Sequence, residues 1–223
     1  MKLKLISVLA LGAGLMQAAP LATDRLKAAA EAFKEVMGIP DKSIPQGLIN
    51  KAQCMVIVPQ LKEGAFVFGG KYGKGFVFCR KEGGVGWSAP GSVRIEGGSF
   101  GFQIGGEEID VFMLIMNKKG MDRLLSTKFT LGADAQATAG PVGRSTQAET
   151  DAALTAEILT WSRSKGLFGG LALTGATLRG DDDWNKELYG KGLKNREIVT
   201  GNTAPPAAAA DMLGELNKYS SRK

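Results

Sequence analysis

Histidine is absent from the 223-residue chain, and cysteine occurs only twice. Without imidazole, histidine-ligated zinc, Ser-His-Asp and Cys-His catalysis and histidine pH switching are all excluded. Aromatic residues are sparse at 7%. No apolar run reaches the roughly 20 residues that a membrane helix needs. No repeat of fixed period and no long low-complexity stretch is present. Neither sign of charge dominates, with 28 Lys and Arg against 22 Asp and Glu. A hydrophobic share of 44% is ordinary globular usage and excludes disorder. The length suffices for one domain with a substantial core.

The first residues have the pattern of an export signal. Lys2 and Lys4 precede the apolar run Leu5 to Met16, which is too short to span a bilayer, and Ala18 and Ala19 offer a small-residue cleavage site. Residues 1–19 are therefore predicted to be a signal peptide and residues 20–223 a single exported domain, periplasmic or secreted. Loss of the leader leaves 26 cations against 22 carboxylates, a charge of +4. That suits an anionic surface and is too weak to indicate nucleic acid. Cys54 and Cys79 both lie in apolar strand-like runs. They either pair in an oxidising compartment or stay buried as free thiols.

Glycine is what the chain has in excess: 31 residues, about twice the usual share. Fourteen of them fall between Gly64 and Gly106. There they alternate with Phe, Val and Ile, which separates the region from a flexible linker and marks tightly bent sheet. Around it, "DRLKAAAEAFKEVMG" carries Leu26, Ala30, Phe33 and Met37 on one helical face, ended by Gly38. "CMVIVP" reads as a buried strand closed by Pro59. "GAFVFGGKYGKGFVFCR" reads as a hairpin with "GGKYGKG" as its connection. Asn117 caps a helix, "LTAEILTWSRSKG" and "LFGGLALTGATLRGD" form a second strand pair, and "DMLGELNKY" is a last helix.

Motifs for catalysis and phosphate chemistry fail on spacing. "GGKYGKGF" and "GGSFGFQIGG" lack the dinucleotide pattern, and Phe76 stands where a P-loop needs lysine. "GWSAPG" has one residue too many for a nucleophile elbow around Ser88. "DDDWN" starts like a calcium loop at Asp181, Asp183 and Asn185. It then places Lys186 and Gly192 where glycine and glutamate are required, so a helix cap is the better reading. Glu107 and Glu108 point to opposite faces of a strand. No enzyme activity, metal or cofactor is expected.

What stays is a set of cations at predicted turns. Lys71, Tyr72 and Lys74 lie at the expected hairpin tip and Arg80 at its end. Arg144 follows a Gly-Pro-Val-Gly turn, and Arg163 and Lys165 lie at another connection. Gathered on one edge, they would form a basic patch worth about 1 kcal/mol per cation near an anionic membrane. The first helix is amphipathic enough for a bilayer surface, although packing on its own domain is the commoner fate of such a face.

Taken together and in order, "GGKYGKGFVFCR", "GWSAPGSVRIEGGSFGFQIGGEEIDVFMLIMN", "LGADAQATAGPVGR", "SRSKGLFGGLALTGATL" and "NKELYG" resemble the SYLF-domain family, the lipid-binding or yeast actin-patch type domain. The resemblance covers about residues 22 to 218. It implies a non-enzymatic domain that binds phosphoinositides and other anionic phospholipids, with an amphipathic N-terminal segment contributing. On this chain that segment carries Leu26, Phe33 and Met37 with Arg25, Lys27 and Lys34. The export signal points to a stand-alone bacterial form, for which an envelope lipid takes the place of an actin-like partner. The expected fold is α+β: a strongly bent, mainly antiparallel, glycine-rich sheet approaching a barrel, with helices at the N- and C-terminal ends. The alternative function is a cell-envelope assembly protein acting through protein contacts or self-association.

Overall fold

A computed structural model describes residues 21–220 except 67, 82, 100–104, 135, 144–155, 172 and 174. The leader, the middle of "GGSFGFQIGG" and Arg144 lie outside the described residues. Nine strands form one sheet: β1 Cys54–Phe66, β2 Phe68–Cys79, β3 Gly91–Ser99, β4 Gly105–Ile115, β5 Phe129–Thr130, β6 Ala137–Ala139, β7 Ile158–Ser164, β8 Leu167–Gly170 and β9 Thr177–Gly180. The order is β5-β9-β3-β2-β1-β4-β7-β6, with β8 also on β7. All pairings are antiparallel except β6 with β7. The helices are α1 Ala22–Gly38, α2 Gln46–Lys51, α3 Lys118–Leu124, α4 Asp182–Tyr189, α5 Asn195–Thr200 and α6 Ala210–Ser220. The architecture is thus the expected α+β half-barrel, strongly curled, with helices at both ends.

Both faces of the central strands are buried, which explains why "CMVIVP" and "VFMLIM" are continuous rather than alternating. Met55, Ile57, Phe76, Phe112 and Trp161 pack under α1, α2 and α6. Their neighbours Val56, Val58, Val77, Val111 and Met113 form a second core. That core also takes Phe129 and Leu178 from one end of the sheet order and Ala137 and Ile158 from the other. Strands from opposite ends meet in one cluster because the sheet curls around it.

The curl has a local cause. β1 does not stop at Pro59; it bulges there, with Gln60 at φ 52° and register shifts between Val58 and Leu61 and between Ile57 and Lys62. A bulge is where a strand tolerates a residue without N–H. It presses onto β2, where a Cβ on Gly75 would overlap the Ile57 carbonyl oxygen and lie 2.7 Å from Val58 Cα. Only glycine lets the two backbones approach so closely.

Continuation of β1 through the bulge moves the hairpin turn. β1 and β2 reverse between Phe66 and Phe68, and Ile57 rather than Phe66 faces Phe76. "GGKYGKG" is therefore strand and not a connection, so Lys71, Tyr72 and Lys74 sit within β2 and not at a tip. The second expected pair is also rearranged: β8 returns along β7, whereas β9 joins β3 and β5 at the far side of the sheet. The cysteine alternative resolves to a disulfide. Cys54 and Cys79 are register partners and bonded, and both are buried. Apolar surroundings and pairing were not exclusive.

Candidate functional site

The expected basic edge does not assemble as such. Arg25, Arg163 and Lys165 do converge, on a groove of about 290 Å³ between α1, the β1 bulge, β4 and the β7–β8 turn. Its walls also hold Glu31, Glu35, Glu108 and Asp110, so carboxylates outnumber cations. Arg163 donates to Asp110 from Nε at 2.9 Å and from Nη2 at 2.6 Å and pairs with Glu35. Arg25 donates to the Pro59 carbonyl at 3.0 Å and to Gln60 Oε1 at 2.8 Å. Burial lowers the pKa of both guanidinium groups. Burial likewise raises that of Asp110, against the opposing pull of the Gln60 N–H and of Arg25. These residues fasten α1 and the bulge to the sheet.

The other sequence-named cations are mostly engaged too. Lys71 pairs with Glu63 at 2.7 Å, and Lys74 pairs with buried Asp181 at 2.8 Å and lies 4.6 Å from the Trp184 ring centre. Tyr72 is 49% exposed. Arg80 stacks 3.9 Å over Trp87 and donates to the carbonyls of Ile49 and Ser220, a structural clamp in place of a free basic tip. Lys27 and Lys34 are exposed on α1. Phe33 is fully buried, edge-on to Tyr219, and Leu26 and Met37 are buried with it. The apolar face of α1 is thus turned into the domain, which corrects its assignment to a bilayer surface in this conformation. Ser88 is buried, accepts from Cys79 N–H and donates to the Ala89 carbonyl, so its hydroxyl serves backbone. Asp181 caps α4 by accepting from Trp184 N–H.

Positive charge gathers elsewhere. α3 and the segment after it present Lys118, Lys119, Arg123 and Lys128 around a wide depression that also contains Asp122 and Asp134. Directly adjoining, sharing Ser126, a pocket of about 410 Å³ is lined by Arg94 of β3, Arg179 of β9, and Lys194 and Arg196 at the start of α5. The two depressions together carry eight cations and three carboxylates, the third being Asp182. Lys119 and Arg123 share Glu157, while Lys118 and Lys128 stand exposed without a carboxylate partner among the described residues. Helical spacing of Lys119 and Arg123 was legible in the sequence. Their juxtaposition with Arg94, Arg179 and Arg196 was not, because it depends on β9 crossing to β3.

Among the described residues no helix is long and apolar enough to cross a membrane. Residues 96–219 match the Ysc84 family, described as Las17-binding protein actin regulator. An SH3 domain-containing protein of Schizosaccharomyces pombe is 35% identical over 178 residues, 78% of this chain and 41% of that protein. Protein YSC84 of Saccharomyces cerevisiae is 32% identical over 177 residues, 78% and 37% of the two chains. SH3 domain-containing YSC84-like protein 1 of Homo sapiens is 30% identical over 184 residues, 82% and 53%. The chain spans about half or less of the length of these relatives. With the ordered glycine-rich motifs, the curled sheet and these matches in agreement, the chain belongs to the Ysc84 family, the SYLF-domain family that its sequence resembles.

Proposed function

We propose that this domain is a non-enzymatic binding module that docks reversibly on anionic phospholipid membranes through the α3 face. The observation that carries the reading is the convergence of eight cations from α3, the following loop, β3, β9 and α5 on one side of the molecule. The grooves around Arg163 and Lys71, by contrast, are lined by more carboxylates than cations. The export signal read in residues 1–19 belongs to the same proposal and makes an envelope lipid the surface met. A second reading, docking on a protein partner, is favoured by the printed name of a yeast relative, LAS seventeen-binding protein 3.

Co-sedimentation with vesicles containing phosphatidylglycerol tests the face. Lys118→Gln with Lys128→Gln removes two cations worth about 1 kcal/mol each, and is expected to weaken binding about 30-fold at low salt. Binding should fade as the ionic strength rises. Lys71→Gln should change little, since Glu63 already neutralises that ammonium. Equal binding to neutral vesicles, or an equal loss from Lys71→Gln, would sink the proposal.

A further inference from the structure

The pocket beside α3 is more than a charged patch, because its cations are arranged where charge alone would not place them. Arg94 and Arg179 are direct cross-strand partners on β3 and β9. Like charges in that position destabilise a sheet. They share one carboxylate: Glu96 lies 2.9 Å from Arg94 Nε and pairs with Arg179 through its other oxygen. Asp181 is 3.8 Å from Arg94 and already pairs with Lys74 at 2.8 Å. Across the pocket Lys194 pairs with Asp182, and Arg196 with Asp122 at 3.3 Å. Four cations thus face three carboxylates of their own, and Arg179 Nε is buried with no acceptor. A pocket of about 410 Å³ falls in the range of small-molecule sites. An arginine pair with spare donors matches an oxyanion that accepts several hydrogen bonds at once.

We infer that this pocket is a socket for a phosphate monoester, carried on a lipid headgroup or on a free metabolite. A monoester has three terminal oxygens and a charge of about −1.5 to −2 at neutral pH, whereas a phosphodiester offers a single charge and two free oxygens. Arg179 and Arg94 grip it from the strand side, and Lys194 and Arg196 close over it from α5. The lipid source rests on the membrane-docking face proposed above; the soluble source does not.

The test uses the full chain and two vesicle types of equal charge density, one with phosphatidic acid and one with phosphatidylglycerol. The monoester vesicle is expected to bind about tenfold more tightly, the value of one added charge-assisted fork. Arg179→Lys keeps the charge and loses the planar fork, so it should abolish that preference while phosphatidylglycerol binding persists. Should this variant fail to keep its melting temperature, Arg196→Lys on exposed α5 serves in its place. Lys118→Gln with Lys128→Gln should weaken both vesicles and leave their ratio intact. Titration of glycerol 3-phosphate, followed by NMR shifts at residues 179 and 194–196, separates the sources. Monoester binding in solution without vesicle binding would keep the socket and overturn the membrane face. Equal affinity for both vesicles, with no response to glycerol 3-phosphate, would overturn the socket and leave the face standing.

Discussion

Gly75→Val is expected to yield no soluble folded protein. The α-hydrogen of Gly75 points at the β1 bulge, and any Cβ there meets the Ile57 carbonyl oxygen and carbon and Val58 Cα, all backbone atoms. A flexible side chain would move aside; here the relief requires that β1 withdraw from β2, which is the central pairing of the sheet. Overpacking of this kind costs about 3 kcal/mol or more, a large part of the 5–15 kcal/mol that typically stabilises a domain. Gly75→Ala should fold poorly, with a urea midpoint far below that of the parent. Gly70→Ala is the control. Its Cβ would meet only the Gly97 carbonyl oxygen at 3.9 Å, and the loss of a flexible residue from the unfolded chain should leave stability equal or slightly higher. Circular dichroism and urea titration of the three variants check this. A stable Gly75→Val protein would mean that the bulge does not press on β2.

The glycine-rich region shows how far the sequence reaches. Dense glycine among Phe, Val and Ile is legible as bent sheet, because linkers lack apolar residues and phosphate loops have other spacing. Which glycine is indispensable is not legible, since Gly75 and Gly70 differ only in what β1 and β3 place opposite them. Pro59 misleads for a related reason. It looks like the end of a strand, and only a bulge that leaves its nitrogen out of the ladder allows β1 to continue, which moves the turn to residue 67 and converts "GGKYGKG" into strand. The 4-3-4 spacing of α1, the Asn117 cap and the two-sided burial of "CMVIVP" are local patterns, and each reappears in the structure.

Charge is less legible than shape. A sequence counts cations without their partners: Glu63 reaches Lys71 through strand register, and Asp181 reaches Lys74 from more than a hundred residues away. Both lysines are thereby removed from a free basic surface. The α3 lysines are less conspicuous in the sequence, yet two of them keep their charge open to solvent. An exposed cation on a short helix with few acids nearby carries more binding potential than one flanked by glycine and tyrosine at an apparent tip.

Arg80 sharpens the same point through a measurable loss. Its guanidinium donates to the Ser220 carbonyl at 2.6 Å and the Ile49 carbonyl at 3.0 Å, groups at the C-terminal ends of α6 and α2. Helix ends expose carbonyls without intrahelical partners and favour a cation beside them. Trp87 supports the arrangement from below, lying 3.9 Å from the guanidinium carbon and donating from Nε1 to Ser220 at 3.2 Å. Arg80→Met keeps an apolar stem over Trp87 but leaves the Ile49 carbonyl without this donor. Charge-assisted hydrogen bonds contribute about 1.5–3 kcal/mol each, so the variant is expected to lose about 3 kcal/mol in urea unfolding. Hydrogen exchange should accelerate first in α6, whose Tyr219 covers Phe33 of α1. Arg80→Lys, with one charged end for two helix termini, should recover part of the loss. Binding of the folded variant to phosphatidylglycerol vesicles should be unchanged. If Arg80→Met instead kept full stability and lost vesicle binding, Arg80 would be the surface cation that its place after a strand suggested, and the clamp would be wrong.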